Sequence, residues 1–246
     1  MTDGAMRIHR ALARAGIASR RKAEELVAAG RVRVNGAVAR TGQSVDPAQD
    51  VITVDGKTLA RPERPTWLVL HKPAGVLTSR PDGTDRRTVF ELVPDVPGLT
   101  YVGRLDYLTE GVLLLTTDGE AAHRLTHPSS EIERTYLVTV RGDVATAVRE
   151  ARRGVTLDDG FVRPVAVEAM QGPDGQWQIA LTIREGRNRE VRRLCEALAL
   201  EVRRLVRTQF GPVKLGSLPP GASRALTARE LGVIATLGQT HDAPAG

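Results

Sequence analysis

The chain has 246 residues, 41% of them hydrophobic, which is enough for one large folded domain and a small one. No apolar run approaches the roughly 18 residues of a membrane helix, the N-terminal residues lack a secretory signal, and a lone cysteine excludes an internal disulfide framework or multi-cysteine metal site. The formal charge of +6 is unevenly spread: residues 1–61 carry 11 Lys and Arg against 6 Asp and Glu, and Arg184 to Arg207 carries 8 arginines against 4 glutamates.

Concentrated arginine suits a phosphate backbone, because each neutralised phosphate releases condensed counterions. Composition alone is equally consistent with a solvated charged surface. A cytoplasmic, membrane-free monomer is the expectation.

The first elements are short. Ile8, Leu12 and Ala15 recur at helical spacing and Gly16 stops that helix. Ser19 is placed to cap a second helix with Ala23, Leu26 and Val27 on its apolar stripe, ending at Gly30. Val32 and Val34 then alternate with Arg31 and Arg33 before an Asn35-Gly36 turn, predicting a hairpin. Arg20, Arg21, Lys22, Arg31 and Arg33 fall on the exposed faces of this basic helix-helix-hairpin module. Arg61 to Pro65 reads as a linker.

Strands dominate beyond it. Trp67 to Leu70 leads into His71-Lys72-Pro73, and Val112 to Leu115 is a continuous apolar run, the mark of a strand buried on both faces. Asp118 is placed to cap a helix through Leu125. Tyr136, Val138 and Val140 alternate with polar neighbours, as do Trp177, Ile179, Leu181 and Ile183. Val144 to Ala151 reads as helix until Gly154. Asn188 is placed to cap a helix bearing Val191, Leu194, Cys195 and Leu198 on one face. Thr227 and Glu230 form a capping box for a last helix, and a disordered tail is expected from residue 238. The prediction is an α+β chain: a small basic N-terminal module at 6–61 and a larger mixed or antiparallel-sheet domain at 66–237.

Two segments carry chemistry. In Gly103-Arg104-Leu105-Asp106-Tyr107-Leu108-Thr109-Glu110-Gly111 a glycine-bracketed loop abuts the buried strand, so it can hold an arginine and a carboxylate in fixed positions. By spacing alone a loop with a surface ion pair is the favoured reading. In Arg184-Glu185-Gly186-Arg187-Asn188-Arg189-Glu190-Val191-Arg192-Arg193, arginines gather at a helix start, where the helix dipole disfavours them unless an anion binds there. Arg192 borders the apolar stripe and can pair with a carboxylate, whereas Arg189 and Arg193 point toward solvent or phosphate. A solvated face is the simpler alternative.

These segments, with Lys72-Pro73-Ala74-Gly75, Arg134-Thr135-Tyr136 and Asp118-Gly119, resemble the pseudouridine synthases of the RsuA/RluB ribosomal RNA branch. The Gly186–Arg193 wording is most like the large-subunit members. Residues Ile17–Arg21 and Gly30–Gly36 resemble the S-four-like RNA-binding fold of a small-subunit ribosomal protein. The match spans about residues 6–237 in the family's order.

The resemblance implies isomerisation of a ribosomal RNA uridine to pseudouridine without cofactor or metal. Asp106 matches the essential aspartate, acting by attack at ribose C1′ or by removal of the 2′ proton. Arg192 matches the basic residue that pairs with it, Arg187 being the fallback. Tyr136 matches the tyrosine that packs on the target base, and Arg104 the arginine that contacts the displaced nucleotide or fills its gap. Arg187, Arg189, Arg193 and Lys72 join the expected RNA contacts, although Lys72 is equally a structural strand end. His127 reads as a local cap and Cys195 as core. Aromatics are only 3% of the chain, which favours shape and phosphate recognition of a folded hairpin over stacking on single strands. Arg134 stands where many relatives carry lysine. The competing readings are a non-catalytic ribosomal RNA binder or assembly factor, and the same chemistry on small-subunit or transfer RNA.

Overall fold

The computed structural model describes residues 5–47, 49–59, 65–81, 83–172 and 174–237. The chain divides into two compact units. The first comprises residues through Thr66 with Asp95–Thr100 and Thr116–Gly119, and the second comprises the remainder. The linker expected at Arg61 to Pro65 falls almost wholly outside the described residues, as does the tail from residue 238.

The first unit holds β1 (Met6–Arg7), α1 (Ile8–Arg14), α2 (Arg20–Ala28), β2 (Val32–Val34), β3 (Ala37–Val38), β4 (Ser44–Val45), β5 (Ile52–Val54) and β6 (Lys57–Thr58). Ser19 caps α2 as expected, accepting from Lys22 N. Asn35 and Gly36 take positive φ values of 51° and 85°, the paired left-handed turn that joins β2 to β3. The module is richer than a single hairpin: β3-β2-β5-β6 form a four-stranded sheet, closed by a second tight turn at Asp55-Gly56. Ile8, Leu12, Ala23, Val27, Val32 and Ile52 form its core.

The second unit is built on one mixed sheet. Its strands are β7 (Trp67–Lys72), β8 (Thr100–Val102), β9 (Glu110–Thr116), β10 (Arg134–Arg141), β13 (Ala166–Gln171), β14 (Trp177–Ile183), β15 (Glu201–Phe210), β16 (Val213–Lys214) and β17 (Ser223–Ala225). A separate hairpin, β11 (Val155–Leu157) and β12 (Gly160–Val162), precedes β13. The principal order is β13-β14-β10-β15-β9-β7-β17, with β15 antiparallel to β10 and parallel to β9. Val112, Leu113, Leu114 and Leu115 are fully enclosed, each stabilising the fold by roughly 1.5–3 kcal/mol. Val112 and Leu114 join Val69, Phe210 and Ile234 in the core, while alternation turns Leu113 and Leu115 to the opposite face.

Four helices complete the unit: α3 (Gly119–Thr126), α4 (Val144–Arg153), α5 (Glu190–Ala197) and α6 (Ala228–Thr236). The Thr227–Glu230 capping box forms at the start of α6. Helix α5 begins two residues beyond Asn188: Arg189 occupies the cap position in left-handed geometry, φ 49°, without a side-chain cap. Glu190 supplies local closure instead, its carboxylate accepting from Arg187 N at 3.1 Å. Among the described residues no helix is long and apolar enough to cross a membrane.

Candidate active site

A cleft of about 400 Å³ opens within the second unit, between the Gly103–Thr109 loop, the start of α5 and the β10–β15 surface. It brings together Arg104, Asp106, Tyr136, Arg187, Arg189 and Arg192, residues separated by up to 88 positions in sequence. Lys72 and Arg193 are not among its lining residues.

The Asp106 loop is held by its backbone. Thr78 Oγ1 donates to Leu105 O at 2.9 Å, and Thr109 N to Asp106 O at 3.0 Å. Gly75 N and Lys72 Nζ both donate to Tyr107 O, at 2.9 and 3.2 Å. Arg192 Nη2 donates to Leu108 O at 3.3 Å, and Lys72 Nζ to Thr109 O at 2.9 Å. Every carbonyl from residue 105 to residue 109 therefore has a donor. The Asp106 carboxylate makes no hydrogen bond or ion pair among the described residues and lies half-buried on the cleft wall. A rigid backbone carrying an uncommitted carboxylate is the arrangement a nucleophile or base requires.

Two expected contacts are corrected by these distances. Arg192 does not pair with Asp106: its guanidinium reaches the Leu108 carbonyl, so it steadies the loop two residues away. Lys72 cannot touch RNA because it is wholly enclosed, its ammonium shared among Pro73, Tyr107 and Thr109 carbonyls. Burial pushes its pKa down to about 8 from an ordinary 10.5, while Glu110 and Asp106 act in the opposite sense.

A pH effect follows from Lys72. Below pH 8 the amine is protonated in folded and unfolded chains alike. Between pH 8 and 10.5 the unfolded chain retains a proton that the folded chain has lost, so this group's contribution to stability rises with pH. Denaturant unfolding of the protein and Lys72→Met from pH 7 to 10.5 should show wild-type stability gaining on the variant across that window. A pH-independent difference would count against a buried, charged Lys72.

Arg187 and Arg193 are also more committed than expected. Both reach Asp159, in the turn joining β11 to β12, at 3.5 and 2.7 Å, and Arg187 Nε also pairs with Glu185 at 2.5 Å. The Arg193 hydrogen bond above all holds the Asp159 carboxylate down at about 2. A hairpin some 30 residues earlier thus ties down Arg187 and also Arg193, which helix periodicity directs to solvent. Arg104 and Arg189 remain exposed, and their side chains make no hydrogen bond or ion pair among the described residues.

The cleft contains charged residues that sequence reasoning did not assign to it. Arg134 and Arg207 line its floor at 7% and 2% exposure. Alternation on β10 puts Arg134 on the same face as Tyr136, and the sheet register sets Arg207 opposite Tyr136. Glu190, 3% exposed, also lines the cleft, and burial raises its pKa. The Arg134–Tyr136 alternation was a readable signal. The position of Arg207 depends on β15 pairing and on a register shift at Thr135/Tyr136, which no sequence period records.

In the first unit Arg20, Arg21, Lys22, Arg31 and Arg33 are all exposed. Arg31 is bound by Asp55 through two hydrogen bonds of 2.9 and 2.6 Å, and Arg33 donates to Gly36 O. Arg20 leans on His9, Lys22 pairs with Glu25, and Arg21 makes no ion pair among the described residues. Among the described residues no cluster of His, Cys, Asp and Glu could hold a metal ion.

Six arginines line one cleft with an uncommitted carboxylate on a mixed sheet, a charge set complementary to a polyanion. The RNA pseudouridylate synthase family profile matches residues 66–197, and the S4 domain profile matches residues 6–52. The chain is 42% identical to an uncharacterized RNA pseudouridine synthase of Aquifex aeolicus, covering 92% of each protein. It is 43% identical to a ribosomal large subunit pseudouridine synthase B of Pseudomonas aeruginosa, covering 93% of this chain and 61% of that one. A solved pseudouridylate synthase structure is 29% identical with a TM-score of 0.61, over 93% of this chain and 99% of the other. The chain belongs to the RNA pseudouridylate synthase family. It is an RNA-acting isomerase with an N-terminal S4 domain and is similar to the large-subunit enzymes.

Proposed function

We propose that this protein converts a specific uridine of ribosomal RNA, in the large subunit, to pseudouridine, with Asp106 as the catalytic carboxylate. The observation that carries this is the half-buried Asp106 carboxylate, without a hydrogen-bond or ion-pair partner among the described residues, on a loop whose carbonyls are all hydrogen-bonded, in one cleft with Tyr136 and Arg192. Relatives named for the large ribosomal subunit support the choice of RNA.

The cleft admits a base only once the nucleotide has left its helix, at a cost of a few kcal/mol. Tyr136 packs on the extruded uracil, replacing lost stacking, and its hydroxyl is available for proton transfer. Arg104 contacts the displaced strand or fills the gap. Asp106 attacks C1′ or takes the 2′ proton. On either route the C1′–N1 bond breaks, and the base turns and rejoins C1′ through C5. Arg192 holds the loop so that this carboxylate stays aimed. All atoms of the substrate reappear in the product, so the isomerisation consumes no nucleotide, group donor or redox partner.

Residues 6–61 act as the RNA anchor and 66–237 as the catalytic domain, in a cytoplasmic monomer. Replacing Arg20, Arg21 and Lys22 with alanine should lower the slope of log affinity against log salt by about 2–3, each lost phosphate contact contributing 0.7–0.9. Filter binding to large-subunit ribosomal RNA from 50 to 200 mM salt checks this, and an unchanged slope would mean the module is no anchor. The function itself is tested by mapping pseudouridine across ribosomal RNA from cells with and without the protein. A large-subunit site that disappears with the protein supports the reading, and unchanged maps overturn it.

A further inference from the structure

The floor of the cleft carries charge that the steps above do not use. Arg134 and Arg207 are buried there, and neither makes an ion pair among the described residues. Arg134 Nη1 donates to the carbonyls of Arg184 and Glu185, at 2.8 and 3.1 Å, and Arg207 Nε donates to Val112 O at 2.8 Å. Arg207 Nη2 is enclosed with no hydrogen-bond partner among the described residues. Both guanidinium carbons lie 5.2 Å from the centre of the buried Phe210 ring. The buried carboxylate among the lining residues, Glu190, accepts from Arg187 N through one oxygen, and the other has no hydrogen-bond partner among the described residues.

Carbonyl bonds and an aromatic face satisfy some guanidinium donors without cancelling their charge. Two buried cations close together are unfavourable unless a counter-charge arrives. Arg104 and Arg189, exposed and without an ion pair among the described residues, are left to meet RNA phosphates. The floor lies where the base itself must sit. Uracil is neutral in the ground state, but when C1′–N1 breaks the bonding pair stays with the ring, and negative charge spreads over N1, O2 and O4. Ribose C1′ is then held by an Asp106 oxygen or by loss of its 2′ proton. As C5 bonds to C1′, the Asp106 ester bond breaks or the 2′ proton returns to C2′; the C5 proton then departs and N1 takes up a proton, so the isomerisation closes without an oxidant or reductant.

We propose that Arg134 and Arg207 are charge-stabilising residues for the detached uracil anion, supplying a buried positive field that acts only as the glycosidic bond breaks. This rests on the reading of the cleft as the uridine site. A field that meets a neutral base and then an anion favours the transition state over the ground state, which is the condition for accelerating the step.

The test is leaving-group sensitivity. Full-length protein is given large-subunit ribosomal RNA transcripts made with uridine or with 5-fluorouridine, whose electron-withdrawing fluorine makes the departing base a more stable anion. In single-turnover assays Arg134→Met and Arg207→Met should consume uridine about 100-fold more slowly, with RNA affinity within a few-fold. 5-Fluorouridine should be slowed far less, raising the ratio of the two rates on the order of 10-fold over wild type. Arg134→Lys, which keeps the charge, should restore most of the uridine rate.

Equal slowing on both bases would overturn the proposal in favour of packing, and weaker RNA binding at an unchanged rate would overturn it in favour of a phosphate contact. If the methionine variants do not fold, Arg134→Gln against Arg134→Lys yields the same comparison. Wild-type protein inert on the uridine transcript would instead refute the assigned function.

Discussion

Asp106→Ala should abolish pseudouridine formation, by about 10⁴-fold or more in single turnover, while RNA affinity stays within a few-fold. The side chain is not part of the packing: it makes no hydrogen bond among the described residues, and the loop around it is held through carbonyls that alanine retains. Structural loss should therefore be small and chemical loss nearly complete. Pseudouridine mapping on large-subunit RNA incubated with wild type and variant decides it. Residual turnover within tenfold of wild type would remove Asp106 from the mechanism, and a parallel collapse of RNA affinity would make it a binding residue.

Gly111→Ala should damage both fold and activity. Gly111 has φ +107°, a conformation that L side chains rarely adopt, and it sits opposite Arg207 in the parallel β9–β15 pairing. A Cβ there would collide with the Arg207 backbone oxygen, nitrogen and carbon, and strand backbone at a sheet centre cannot yield. The cost should reach about 3 kcal/mol or more, a large share of the roughly 5–15 kcal/mol that stabilises a typical protein. At roughly 2–4 °C per kcal/mol, thermal melting should fall by about 10 °C. The same clash pushes β15 from the Asp106 loop, so turnover should fall further than stability alone explains. A variant melting with wild type would show that this strand approach is not rigid.

Much of the architecture was legible because it depends on short-range periods. The Val112–Leu115 run, the Tyr136–Val140 alternation, the Ser19 cap and the Thr227–Glu230 box all formed as read, since each reflects local backbone geometry. The Asp55-Gly56 hairpin was equally local, yet it was missed, although Ile52 and Val54 alternate before it just as Val32 and Val34 do before Asn35-Gly36. Asn188 was placed as the α5 cap because it is a good capping residue. The chain instead closes that turn with Glu190, shifting the helix start to residue 190.

The sequence by itself determined which residue types gather in two segments: a carboxylate in a glycine-bracketed loop, and arginines at a helix start. Those choices are written in consecutive residues and follow from turn and helix geometry. Only the tertiary structure decided their partners. It committed Lys72 and Arg192 to the carbonyls of the Asp106 loop, tied Arg187 and Arg193 to Asp159, and set Arg207 opposite Tyr136 on the neighbouring strand. Hydrogen bonds and ion pairs form between whatever groups strand register and loop closure bring within about 3 Å. That distance is set by pairings 28 to 95 residues apart, which no local period encodes.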